Sequence, residues 1–112
     1  MNKVVLVGRL GENAEVIETK NGNIMIKLVL ATRDRDQTDW HQIKIVDNKL
    51  ALTCTKCSKN QLVSISGKIK TKKHIDSRNI THYSTYIEAE DVIFLSPLNT
   101  TPVTETKVGT ND

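Results

Sequence analysis

The chain has 112 residues, enough for one domain and too few for two ordinary ones. Charged residues make up 26% and hydrophobic ones 38%, the composition of a globular domain rather than a disordered or collagenous chain. Lys and Arg number 16 against 13 Asp and Glu, and this balance of +3 suits an anionic partner without identifying one.

No apolar stretch approaches the ~20 residues that a membrane helix needs. The N-terminal apolar run, residues 4–7, is too short for a secretory segment. Two Cys cannot build a disulfide-dense scaffold. One Trp, two Tyr and one Phe leave Val, Ile and Leu to form the core, and the β-branched pair favours strands.

A period of two dominates the chain. Residues 3–10 read as a strand that breaks at Gly11 and resumes over 14–19. Asn21 and Gly22 mark a tight hairpin turn. Ile24, Ile26, Leu28 and Leu30 then alternate with Met25, Lys27, Val29 and Ala31 in a second strand. Residues 33–37 read as a charged loop, and a third strand covers 38–46. Asp47 is placed to cap a short helix over 48–58, since its carboxylate can accept from the free amides of a first turn. The fourth strand, 61–72, turns Val63, Ile65, Gly67, Ile69 and Thr71 to one face and Ser64, Ser66, Lys68, Lys70 and Lys72 to the other. A polar loop at 76–79 leads to a fifth strand over 82–95. The remainder, 96–112, is Thr-rich with two Pro and few apolar residues, and reads as a flexible tail.

This order predicts an all-β fold: a five-stranded Greek-key OB-fold barrel with one short helix between strands three and four. A small barrel of another strand order fits the pattern as well.

Residues 68–78 carry Lys68, Lys70, Lys72, Lys73 and Arg78 against Asp76 alone, a net +4. Spacing of i, i+2 sets Lys68, Lys70 and Lys72 in a row, which suits a row of phosphates or simply a solvated outer face. Trp40 shares a face with Gln42 and Lys44, so the lone indole lies on the more polar side of its strand. It reads either as a packing residue or as a platform for an unpaired base beside cations. Arg33 and Arg35 are candidate phosphate contacts if their loop flanks the groove. The acidic Glu88, Glu90 and Asp91 are expected to lie away from a nucleic acid. Cys54 and Cys57 form a C-x-x-C, but no second Cys pair completes a zinc site and His41, His74 and His82 are scattered. Incidental thiols are the simpler reading, with a redox or metal protein as the alternative. No nucleophile elbow, Gly-rich phosphate loop or catalytic carboxylate pair is present.

Residues 2–11 (NKVVLVGRLG) resemble the opening strand of bacterial-type single-stranded DNA-binding proteins. The Asn21 and Gly22 turn, residues 30–32 (LAT), residues 38–41 (TDWH), residues 49–51 (KLA) and residues 66–73 (SGKIKTKK) follow in that family's order. The resemblance spans about 2–95. It implies an OB-fold domain over 1–95 that binds single-stranded DNA without sequence choice in replication, recombination or repair, with no enzymatic activity, cofactor or metal. It implies a cytoplasmic, nucleoid-associated homo-oligomer, a tetramer or a dimer, and no membrane partner. By the same resemblance Trp40 stacks on DNA, Lys68, Lys70, Lys72 and Lys73 track its backbone, and residues 3–7, with Lys3, Val5 and Val7, form the oligomer interface.

Departures from the family pattern are specific. His74 stands where an aromatic usually follows the basic strand, and it is expected to stack as a poorer platform. Val46 stands where an aromatic is common. Binding is therefore expected to be weaker or more electrostatic than usual. The segment ends Gly109, Thr110, Asn111, Asp112 without the family's acidic, hydrophobic-ended tip, so a reduced member is expected. The competing reading is a primosome-type OB protein that chiefly binds other replication proteins.

Overall fold

The computed structural model describes residues 1–96. The expected tail, 96–112, lies outside the described residues except for Ser96, whose hydroxyl accepts from the Leu62 N–H at 3.1 Å.

Six strands and one helix follow in order: β1 (Val4–Leu10), β2 (Glu15–Glu18), β3 (Ile24–Asp34), β4 (Gln37–Ile45), α1 (Asn48–Thr53), β5 (Leu62–Ile75) and β6 (Thr81–Phe94). The sheet runs β1-β5-β6-β4-β3-β2, and a further pairing of β1 with β3 closes it into a five-membered barrel. β1 and β2 are the two halves of the expected broken first strand. β1 meets β3 only at Arg9 and Leu10, and β2 meets it at Glu15–Glu18. Between them the Gly11 N–H donates to the Val29 carbonyl at 2.8 Å and the Ala14 N–H to the Cys57 carbonyl at 2.9 Å, so the break leaves these amides paired.

The interior follows the alternation in the sequence. Leu10, Ile26, Leu28, Leu30, Ile43, Ile45, Val63 and Ile65 are sealed inside. Burying each of the larger side chains is worth about 1.5–3 kcal/mol. α1 covers one end of the barrel and buries Ala51. Asp47 caps it as expected, its carboxylate accepting from the Leu50 N–H at 2.9 Å. The helix ends at Thr53, five residues before the predicted stop. Thr53 and Thr55 are poor helix formers whose hydroxyls donate back to the Lys49 and Leu52 carbonyls, and the chain tightens into turns at Cys54 and Cys57.

The segment 33–37 is also different. β3 and β4 pair out to Asp34 and Gln37, leaving a turn of two residues with Arg35 at φ 58°. The charges that suggest a loop sit on a hairpin extending into solvent, where polar residues on both faces cost nothing.

Gly8 lies at the seam where β1 passes from β5 to β3. A Cβ there would stand 2.1 Å from the Ala31 carbonyl oxygen, a backbone atom held by the barrel. Gly8→Ala is expected to cost about 1–3 kcal/mol through overpacking. That lowers the thermal midpoint by at least ~4 °C. A circular-dichroism melt superimposable on the wild type would show that the seam is not tight.

Candidate nucleic-acid interface

The outer face of β4, β6 and β5 gathers most of the candidate residues. Register pairs Lys44 with Glu88 across β4 and β6, and pairs Glu88 with Lys68, Tyr86 with Lys70, Ser84 with Lys72 and His82 with His74 across β6 and β5. Directly paired residues share a face. Trp40, Gln42 and Lys44 alternate onto this same side of β4. The lysine row and the indole therefore occupy one surface.

Trp40 is 63% exposed, which leaves its ring available as a stacking platform. Its inner edge rests on Gly11, where a Cβ would stand only 2.6 Å from Cζ3. Glycine at this position leaves room for the edge of the indole at the chain break. Along the outer face in the other direction, Ala31 is opposite both Trp40 and Arg9. A shallow cleft there is lined by Val7, Arg9, Ala31, Arg33 and Trp40. Arg33 thus reaches the indole from β3, whereas Arg35 stands at the exposed hairpin tip.

Two residues absent from the sequence reading belong to this surface. The Lys44 ammonium lies 4.2 Å from the centroid of the Tyr86 ring, a cation–π contact that fixes both groups beside Lys70. Arg9 joins the Trp40 cleft and donates from a guanidinium nitrogen to the Asn60 carbonyl at 2.9 Å. Tyr86 is visible only once the β5–β6 register is known. Arg9 was accessible to the alternation of β1, which turns Val5, Val7 and Arg9 outward together.

The acidic residues are not remote from the cations. Glu88 lies between Lys44 and Lys68 in the sheet, and Glu90 is 3.8 Å from both Lys3 and Lys68. Alternation from Glu88 already puts Glu90 on this side; the register shift between Ser66 and Gly67 leaves Glu90 unpaired between Ala89 and Asp91 and sets Asp91 opposite Ser66. Lys68 is therefore partly engaged, while Lys70 and Lys72 have no carboxylate within 4 Å among the described residues.

Beyond Ile69 and Ile87, β5 and β6 leave the barrel as an exposed arm. Lys73 pairs with Tyr83 on the face of this arm opposite the lysine row, so the structure separates Lys73 from Lys68, Lys70 and Lys72. His74 stays on the row's face, its ring centroid 6.4 Å from that of His82 at an interplanar angle of 31°. The tip is held by Asp76. Its carboxylate meets His82 Nε2 at 2.8 Å and accepts from the Ile80 and Arg78 N–H groups at 3.0 and 2.9 Å. These contacts, the His82 one first, hold the Asp76 carboxyl below its ordinary range.

Cys54 and Cys57 are both buried beneath α1, away from this face. A hydrogen bond between the thiols together with burial pushes Cys57 far above the usual thiol range.

Known proteins place this geometry. The chain is similar to the Plasmodium falciparum SSB in its complex with single-stranded DNA, at 28% identity and a TM-score of 0.77, covering 86% of this chain and 96% of that one. The mitochondrial single-stranded DNA binding protein of S. cerevisiae shares the fold, at 20% identity and a TM-score of 0.70, over 83% of this chain and 93% of that one. Residues 1–95 match the Single-strand binding protein family throughout, and the chain belongs to that family.

Proposed function

We propose that this protein coats single-stranded DNA, with bases stacked on Trp40 and phosphates following Lys70 and Lys72, and that Lys44, Lys68 and Arg33 add charge along the path. One observation carries the reading: the exposed indole and Lys70 and Lys72, which have no carboxylate partner among the described residues, share one outer face of the β4–β6–β5 sheet. Stacking and charge together are tolerant of sequence, because every base has a π-face and every nucleotide a phosphate. Lys73 and Tyr83 contribute from the other side of the arm, and His74 extends the stacking surface toward the tip. The role is binding without catalysis, in replication, recombination or repair. Titrating the full chain with oligo-dT at rising salt tests this reading. The complex should form at low salt and weaken with a log–log slope of about 0.7 per phosphate contacted. Absence of a retained complex at low salt would reject it.

Assembly through β1 is part of the proposal. Val4–Gly8 pair with β5 on one side, while β3 takes up only Arg9 and Leu10 on the other, which leaves a backbone edge unpaired among the described residues. Val5 and Val7 on this strand are 61% and 55% exposed, and Ile93, on the same face across Ser64 of β5, is 53% exposed. An open edge with an apolar face is a template for pairing with a second copy. The wild type is expected to sediment as a multiple of the 12.6 kDa chain, and the double substitution Val5→Asp, Val7→Asp to shift it to the single-chain mass. Unchanged mass in the variant would assign the assembly to another surface.

A further inference from the structure

Past the Ile43–Ile87 pair, β4 and β6 separate, and the barrel end opposite α1 opens between them. The opening is a slot of about 370 Å³, within the size range of small-molecule sites. Its floor is apolar, with Leu6 and Ile69 turned up from β1 and β5, and Trp40 and Tyr86 stand at its sides. Polar residues line it as well: His41, Gln42 and Thr85. His41 is oriented by a 2.8 Å hydrogen bond between its Nε2 and the Thr32 hydroxyl. Among the described residues its Nδ1, the Gln42 amide and the Thr85 hydroxyl have no protein partner. Two cations flank the slot, Lys44 over the Tyr86 ring and Lys70 opposite Tyr86 in register.

A flat body with a hydrogen-bonding edge, tethered on an anionic backbone, matches these walls, this rim and these cations together. We propose that the slot receives one base of the bound strand, turned inward over Leu6 and Ile69, with its edge on His41, Gln42 and Thr85. An extruded base read by apolar contact and edge hydrogen bonds uses the same chemistry. The proposal rests on single-strand binding by this face and adds a subsite distinct from stacking on the outer side of Trp40.

The test compares oligo-dT with an abasic phosphodiester of equal length, both end-labelled, binding to the full chain. Ile69 is about half exposed, so Ile69→Phe fills the slot without disturbing the core. This variant is expected to lose about tenfold in affinity for oligo-dT, within the range of one base contact. It should bind the abasic strand as the wild type does. Thr85→Val, which keeps the shape and removes a hydroxyl, is expected to lose about threefold on oligo-dT alone. Equal losses on both strands, or none on either, would overturn the subsite and leave phosphate binding intact. Failure of the wild type to bind either strand would overturn the reading on which the subsite rests.

Discussion

Trp40→Ala is expected to weaken oligo-dT binding by about 5- to 150-fold, the worth of ~1–3 kcal/mol for one stacked base. The indole is 63% exposed and contributes little to the core, so the loss should appear in binding while the melting curve stays near that of the wild type. Salt dependence separates this effect from electrostatics. Removing an uncharged ring leaves the number of phosphates contacted unchanged, so the slope of log affinity against log salt should hold. Isothermal titration at several salt concentrations checks both. An unaltered affinity would place the bases elsewhere on the barrel. Trp40 is the only tryptophan, so the wild type also reports its own occupancy through fluorescence.

Charge reversal at Lys70 and Lys72 should act in the opposite way. Both ammonium groups lie on one exposed face without a carboxylate partner among the described residues, so neither is compensated inside the protein. Lys70→Glu with Lys72→Glu removes two phosphate contacts. At about 0.7 of slope each, their loss between molar and 50 mM salt amounts to nearly two decades, and repulsion adds to it. The affinity at 50 mM salt should fall about 100-fold and the salt slope should decrease by at least ~1.4. Near molar salt the variant and wild type should converge. A fall in affinity with an unchanged slope would mean that these lysines act on folding or assembly rather than on phosphates. Lys68 is the weaker target because Glu90 already engages it.

Much of this surface was legible in the sequence, and the remainder failed for identifiable reasons. Period two separates the core set Val63 and Ile65 from the row Lys68, Lys70 and Lys72, and one strand suffices for that. The placement of Trp40 beside Lys44 follows from the same rule. Tyr86 and Glu88 escaped because their neighbours lie on other strands, β5 and β4. The register between β5 and β6 runs unbroken from Ile75 and Thr81 at the tip to Gly67 and Ala89, and alternation within one strand does not reveal it. Glu90 shares the face of Glu88 by alternation, and its closeness to Lys3 and Lys68 shows only once β6 is laid against β5. Residues 33–37 were misread because their composition marks solvent exposure, and an exposed hairpin has the same composition as a loop. Lys73 shows the limit in the other direction: a run of two lysines always divides between faces in a strand, and the structure sets it against Tyr83. The cap at Asp47 was visible because capping is local, while the early stop of α1 reflects the two Thr side chains and the turn that buries Cys54 and Cys57.

The most direct test of the central claim is ultraviolet crosslinking of oligo-dT to the full wild-type chain, with the attached residues mapped by mass spectrometry. The face formed by β4, β6 and β5 predicts crosslinks at Trp40 and Tyr86 and within the lysine row of β5. Crosslinks confined to the α1 end of the barrel, around Val16 and Leu52, would contradict it.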